Sequence, residues 1–181
     1  MLKRLLLVVV AFASLVSVSN AADPLKFNKD KSKIGFVGKK TDGKHAGGFK
    51  DFSVDAKADW EDPTKSSLAI DIKTDSLWSD DAKLTEHLKN PDFFDVRKYP
   101  SMKFTSTKIE VSGEHEAVIL GKLKMLDKEV EVKVPCSVEA NDSNVTLNAK
   151  FKIDRTLWGM TYGAGKIDKE VDIDVSLQFA R

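Results

Sequence analysis

Beyond residue 21 the chain alternates apolar and polar residues with a period of two, the signature of strands that bury one face. Phe52, Val54, Ala56, Ala58 and Trp60 share one face, and Asp51, Ser53, Asp55, Lys57 and Asp59 the other. The same pattern places Leu68, Ile70 and Ile72 together over Ser67 to Thr74. Later strands put Val130, Val132, Val134, Cys136 and Val138 on one side, then Val145, Leu147, Ala149, Phe151 and Ile153, then Val171, Ile173, Val175, Leu177 and Phe179. Leu25 to Asn28 and Ser32 to Lys39 read as opening strands joined by a turn at Asn28-Lys29-Asp30, with Ile34, Phe36 and Gly38 facing inward. Gly35 and Gly38 point to bending or close backbone approach. The polar, Gly-rich run from Thr41 to Gly48, carrying His45, reads as a loop.

Two segments alternate less cleanly. In Met102 to Val111, Phe104 and Ile109 fall on opposite faces, which a bulge or a changeover explains. Ala117 to Leu126 is apolar on both faces, which predicts cover from a helix or from the first strand. Asp127-Lys128 reads as a tight hairpin turn, and Glu61-Asp62-Pro63-Thr64 as another turn. Pro135 points away from the valine face of its strand. A proline there belongs at an edge or a bulge, so the sheet is expected to be open beside it, and a homodimer through that edge becomes conceivable.

The run from Leu88 to Pro100 breaks the alternation. It sets Phe93 and Phe94 side by side, flanks them with Asp92 and Asp95, and ends in Tyr99-Pro100. Ser79 or Asp80 can cap a short helix with Leu84 and Leu88 on one face, and Asn90-Pro91 ends it. Asp92 can cap a second turn. The expected result is a helical corner over roughly Asp80 to Tyr99 that drives Phe93 or Phe94, with Leu84, Leu88 and Val96, into a hollow.

Eight or nine one-faced strands with short hairpins predict an all-β chain, an antiparallel β-barrel of about eight strands with a short helical insertion. A barrel of that size is filled by side chains or holds one small ligand. Its outward faces carry Lys, Asp and Glu, which does not suit a membrane barrel.

Met1 to about Ala21 reads as a cleaved secretory signal: Lys3 and Arg4 precede an apolar core from Leu5 to Val18 and the small-residue site Ser19-Asn20-Ala21. The core, about 14 residues long, falls short of the roughly 20 that span a bilayer. The expected product is a single domain over residues 22–181, periplasmic or secreted, with no transmembrane anchor after cleavage. The 29 basic residues less Lys3 and Arg4 fall one short of the 28 acidic ones. That balance argues against nucleic acid as a partner. Cys136 is the single cysteine, so no intramolecular disulfide forms, and among inward valines it reads as a buried, inert thiol.

Glu86-His87-Leu88, Pro91-Asp92-Phe93-Phe94-Asp95-Val96 and Lys98-Tyr99-Pro100 through Phe104-Thr105-Ser106-Thr107 resemble the most distinctive block of the YceI-like family, lipocalin-like polyisoprenoid-binding proteins of the bacterial periplasm. Gly48-Phe49, Asp51-Phe52-Ser53, Asp62-Pro63 and Lys65-Ser66-Ser67 extend the likeness upstream. Arg155-Thr156-Leu157-Trp158-Gly159-Met160 is similar to the family's Arg-containing turn, with Leu157-Trp158 in place of the more usual Asp-Phe. The resemblance covers nearly all of the mature chain. It implies a long isoprenoid, a polyprenyl or quinone-type lipid, threaded through the interior.

From pattern alone, the small residues Gly38, Ala56, Ala58 and Ala149 among large aromatics either leave room for an apolar ligand or fit the taper of a filled barrel. With the resemblance, the expected apolar lining is Phe36, Phe52, Val54, Ala56, Ile70, Phe93, Phe94, Ala149, Phe151 and Phe179. Asp92, Asp95, Tyr99, Arg155 and Tyr162 are candidates for a polar mouth. Arg155 is equally readable as an ion-pair partner of Asp92 or Asp95. The expected function is non-catalytic binding or transport of that lipid, with no cofactor besides it.

Two alternatives stand: a stress-related interaction protein with a filled barrel, and a hydrolase using Asp92, Asp95 and His87. Against the hydrolase, that spacing is what capping and turn chemistry produce, and nothing supplies an activated nucleophile. His45, His87 and His115 lie far apart without metal-ligand spacing, so no metal site is expected. Gly163-Ala164-Gly165 lacks the strand-to-helix context of a phosphate loop and reads as hairpin glycines.

Overall fold

The computed structural model describes residues 22–181; the expected leader, Met1 to Ala21, lies outside the described residues. In chain order the elements are β1 (Asp23–Pro24), β2 (Lys26–Lys40), β3 (Gly43–Phe49), β4 (Phe52–Ala58), β5 (Ser67–Lys73), β6 (Leu77–Ser79), α1 (Ala82–Leu88), β7 (Ser101–Val111), β8 (Glu116–Met125), β9 (Lys128–Ala140), β10 (Asn144–Asp154) and β11 (Ile167–Ala180). Short 3-10 turns at Pro63–Lys65, Thr74–Ser76 and Arg155–Trp158 join some of them. The strands form one antiparallel sheet in the order β1-β4-β5-β7-β8-β9-β10-β11-β2-β3-β6. Among the described residues no helix is long and apolar enough to cross a membrane.

The sheet curls because its apolar face must leave water, and the first ribbon ties its edges at one end. Pro24 lies opposite Lys57 of β4, Leu25 N donates to Ala56 O at 2.9 Å, and Lys26 is already opposite Ala180 of β11. Phe27 continues this seam, its ring 5.7 Å from Phe52 and 5.9 Å from Phe179. The barrel does not close along its whole length. The β9–β10 ladder stops at Cys136 opposite Ala149. Val138 N donates to His115 O toward β8, so alternate residues of β9 turn to β10, and Pro135 is the one with no N–H to offer. The opening expected beside Pro135 is there.

Inward positions follow the alternation. Leu68, Ile70 and Ile72 are buried, as are Val145, Leu147, Ala149, Val175, Leu177 and Phe179, while the valines of β9 pack half-buried against them. The weak pattern of β7 has the expected cause, a register shift between Ser106 and Lys108. Several expectations need correction. The polar run after Asn28 is a bulge inside one long β2, between the partners of Ser176 and Gln178, held by Ser32 Oγ donating to Asn28 O at 2.7 Å and accepting from Gln178 N at 2.9 Å. Residues 43–49 are a strand, because Gly47 and Gly48 let backbones and rings approach. A Cβ at Gly47 would stand 2.5 Å from both Phe36 Cζ and Trp78 O, and one at Gly48 2.5 Å from Ile34 O.

Trp60 lies past the end of β4 and is 37% exposed, under the Arg181 guanidinium at 3.9 Å. The outer apolar residues of β8 are covered by neither helix nor first strand: Val118 lies opposite Pro135, and Leu120 between Lys108 and Lys133, whose aliphatic stems can flank it. The β8–β9 turn is Leu126-Asp127, one residue earlier than expected, with Leu126 at φ +57°.

Candidate binding cavity

Between the curled sheet and the helical corner lies a cavity of about 420 Å³. Its walls are the inward residues of eight strands, among them Ile34 and Phe36, Phe49, Ile70 and Ile72, Phe104, Ile119, Val132, Ala149 and Phe151, Ile173 and Leu177. α1 closes one side. Its N-cap is Asp81, whose carboxylate accepts from Leu84 N at 2.7 Å, not Ser79 or Asp80. Asp80 instead anchors the approach to the helix: its carboxylate accepts from Ala46 N at 2.9 Å and meets His45 Nδ1 at 2.9 Å. Those two contacts, the amide first, hold the Asp80 carboxyl below its ordinary pKa.

The i, i+4 pair Leu84 and Leu88 faces the cavity, and the double phenylalanine follows. Phe93 is buried; Phe94 meets Phe49 edge-on at 5.6 Å. The chain turns sharply there, with Phe94 N bonded to Leu88 O and Asp95 N to Asn90 O, and Asp95 at φ +42°.

Of the residues expected to form the apolar lining, Phe36, Ile70, Phe93, Phe94, Ala149 and Phe151 do line it. Phe52, Val54, Ala56 and Phe179 do not. They belong to the packed far end, where Phe27 fills the space between Phe52 and Phe179. The space is therefore a blind pocket and not a tunnel. Val96 does not reach it either.

The polar groups of the lining gather at the opposite end: Lys39, Lys40, His45, His87, Arg155, Tyr162 and Asp168. Asp92, Asp95 and Tyr99 are not among them. Asp92 does not cap a turn; its carboxylate meets His87 Nε2 at 3.0 Å. Tyr99 O accepts from Thr74 Oγ1 at 2.6 Å, which pins the corner to the sheet. His87 in turn sits edge-on to Phe93 (5.1 Å) and to Tyr162 (4.9 Å), and Tyr162 is 5.4 Å from Phe93. Helix, corner and the loop after residue 158 thus meet in one three-ring cluster at the mouth.

Arg155 pairs with neither Asp92 nor Asp95. Only 5% exposed, it donates to three backbone carbonyls: Nε to Asp168 (3.0 Å), Nη1 to Met160, and Nη2 to Ile167 (3.2 Å). Burial lowers the guanidinium's pKa, yet the group orders both ends of the loop that carries Tyr162. Asp154, whose carboxyl is held down chiefly by the Thr156 hydroxyl and then the Thr156 amide, caps the 3-10 turn. Trp158 is 1% exposed and its Nε1 donates to Leu123 O at 3.0 Å, bridging this loop to β8 where the β9–β10 ladder is missing. Leu157, at the position where the resemblance led to an Asp, is 52% exposed and absent from the lining, so its missing carboxylate takes nothing from the cavity. The mouth residues Lys39, Lys40 and His45 were not anticipated. They lie at the β2–β3 turn, and no local pattern ties that turn to α1.

Cys136 is buried; burial raises its thiol pKa. Among the described residues no group of His, Cys, Asp and Glu could hold a metal ion.

A family model described as the YceI-like domain matches residues 25–179. The chain belongs to the YceI-like family. Similar YceI-like relatives include UPF0312 proteins of Pseudomonas putida (strain GB-1), 36% identical over 138 residues, and of Pseudomonas fluorescens (strain SBW25), 34% identical; each alignment spans 73% of this chain and 71% of the relative. Among solved structures, BcnA of Burkholderia cenocepacia superposes with a TM-score of 0.79 at 27% identity, covering 84% of this chain and 99% of that one. A polyisoprenoid binding domain from Saccharophagus degradans gives a TM-score of 0.68 at 11% identity over 88% and 99% of the two chains, which is a likeness of fold. The expected family and antiparallel barrel class both hold.

Proposed function

We propose that this YceI-like chain binds an apolar lipid tail, an isoprenoid of polyprenyl or quinone type, inside the curled sheet, and does so without chemistry. The observation that carries this reading is a cavity of about 420 Å³ walled by apolar side chains, with its polar groups confined to one end. Burying each methylene there contributes about 0.8 kcal/mol, so a tail supplies gross affinity without a charged partner. A polar head would rest at the mouth among His87, Tyr162 and Lys40.

A volume within the roughly 300–1,000 Å³ of ligand pockets speaks against the filled-barrel alternative. The hydrolase alternative finds less support. His87 and Asp92 do pair, but the Arg155 donors go to carbonyls. The leader-like Met1 to Ala21 supports a periplasmic or secreted setting. Mass spectrometry of organic extracts from protein purified without detergent tests the reading. A stoichiometric isoprenoid is expected, and its loss in Ala149→Phe. Repeated empty preparations, together with no gain in melting temperature on adding isoprenoids, would end it.

A further inference from the structure

The loop of residues 155–166, between β10 and β11, turns two large apolar side chains to water beside the mouth. Leu157 is 52% exposed and Tyr162 46%. Neither belongs to a loose segment. Trp158 and Met160 of the same loop are buried, and Arg155 bonds the carbonyls of Met160, Ile167 and Asp168. Tyr162 borders the cavity on one side and water on the other, its ring held 4.9 Å from His87 and 5.4 Å from Phe93. Trp60, Trp78 and Val111, the other large apolar side chains exposed among the described residues, line no part of the cavity.

This loop is also where positive charge gathers. The tip of the β2–β3 hairpin is bonded to it, Thr41 N donating to Lys166 O at 3.1 Å, which groups the exposed Lys40, Lys44 and Lys166. Lys128 stands beside the loop as well, its Nζ 3.7 Å from where a Cβ on Gly159 would lie. None of these four lysines forms an ion pair among the described residues. Lys39 and Lys169 are already paired, with Asp172 and Asp154, and Asp127 attracts Lys98. Asp42 and Asp168 are the carboxylates left to oppose the four lysines, so two positive charges remain in excess. Across the mouth, residues 80–100 carry five acidic and four basic side chains, so the excess belongs to the hairpin and loop side.

An apolar tail crosses water at a steep cost, since each methylene exposed on the way lowers the population of the crossing state about fourfold. Direct passage from one apolar medium to another avoids that cost. Apolar side chains ringed by lysines suit an anionic bilayer: the leucine enters the acyl boundary, the tyrosine sits at headgroup level and the ammonium groups meet lipid phosphates. Resting on the binding reading above, we propose that Leu157, Tyr162 and the lysines around them dock the mouth on an anionic lipid bilayer, so that the tail passes between membrane and cavity without entering water. Each lysine near such a surface contributes about fivefold in affinity. Covering Leu157 contributes about tenfold more.

The test is co-sedimentation with vesicles of phosphatidylcholine alone and of phosphatidylcholine mixed with phosphatidylglycerol. It uses the exported chain with its N-terminal mass confirmed, because a retained apolar leader would bind bilayers by itself. Anionic vesicles should bind the protein at least about tenfold more tightly than neutral ones, and high salt should remove the difference. Leu157→Asp should weaken vesicle binding at least about tenfold, and Lys44→Glu combined with Lys166→Glu should abolish the preference for anionic vesicles. Val111→Asp, on β7 and also 52% exposed in the parent, should change nothing. All four side chains lie outside the cavity lining, so farnesol should displace an anilinonaphthalene sulfonate probe from every variant as it does from the parent. A parent that takes up farnesol but stays in the supernatant overturns the docking face and leaves the binding reading intact. Equal losses in Leu157→Asp and Val111→Asp, or an anionic preference that survives the lysine changes, overturn the assignment of the face. If farnesol displaces no probe from the parent, the binding reading fails and the docking proposal falls with it.

Discussion

Two glycines on the β2–β3 hairpin should respond to substitution in opposite ways. Gly38 lines the cavity, and a Cβ built there meets nothing within 4 Å; one at Gly47 meets Phe36 Cζ and Trp78 O at 2.5 Å. Gly38→Leu removes the entropic penalty of a strand glycine, about 0.5–1 kcal/mol, and buries part of a side chain worth about 1.5–3 kcal/mol when fully covered. The empty protein should therefore gain about 1–2 kcal/mol. The four added carbons occupy ligand space, and at about 0.8 kcal/mol each they should weaken prenol binding by about 3 kcal/mol, roughly a hundredfold. Gly47→Ala adds one carbon and should destabilise by about 1–3 kcal/mol, because ring and carbonyl must both yield. Urea unfolding and probe displacement measure both effects. A destabilised Gly38→Leu, or one that binds prenols like the parent, would refute the reasoning, as would a neutral Gly47→Ala.

Arg155→Met should lose about 3 kcal/mol in urea unfolding, since the Met160, Ile167 and Asp168 carbonyls lose a charged donor; amide exchange should show the loop through Tyr162 loosening first. Trp158→Phe should cost about 1–2 kcal/mol through the lost bond to Leu123 O, measured by the same unfolding. The Asp80 carboxyl is held below its ordinary pKa by the Ala46 amide and then His45, so the stability it gives the entry to α1 is present above the ordinary carboxylate range. That stability should vanish as pH falls through the lowered value; exchange protection at Ala46 should drop there, and Asp80→Asn should abolish the dependence.

The strands were legible because one buried face forces a period of two, and the residues of β5, β9, β10 and β11 obey it with few exceptions. The misses have separate causes. Gly47 and Gly48 look like loop residues in isolation. Their use becomes visible only from the register that sets Gly47 opposite Phe36. Trp60 continues the alternation on paper, but β4 has already ended at Ala58. The double phenylalanine announced the corner, and capping preference alone could not choose Asp81 over Asp80 when Asp80 had a distant partner in Ala46. The far end of the cavity was misjudged for a related reason. Phe52 and Phe179 carry the same inward pattern as Phe36 and Phe151, and which pair faces space is decided by Phe27 arriving from the first ribbon. The mouth is the least local feature, since Lys40, His87 and Tyr162 come from three segments that meet only when the sheet curls.

The central claim is that an apolar chain leaves water for the interior of this sheet, and titration calorimetry of farnesol into the lipid-free protein over a range of temperatures tests it most directly. Burial of apolar surface carries a negative heat-capacity change. The account predicts one molecule bound per chain with a clearly negative value, and a much smaller signal in Gly38→Leu. Saturable binding whose enthalpy does not vary with temperature, or equal signals in both proteins, would contradict it.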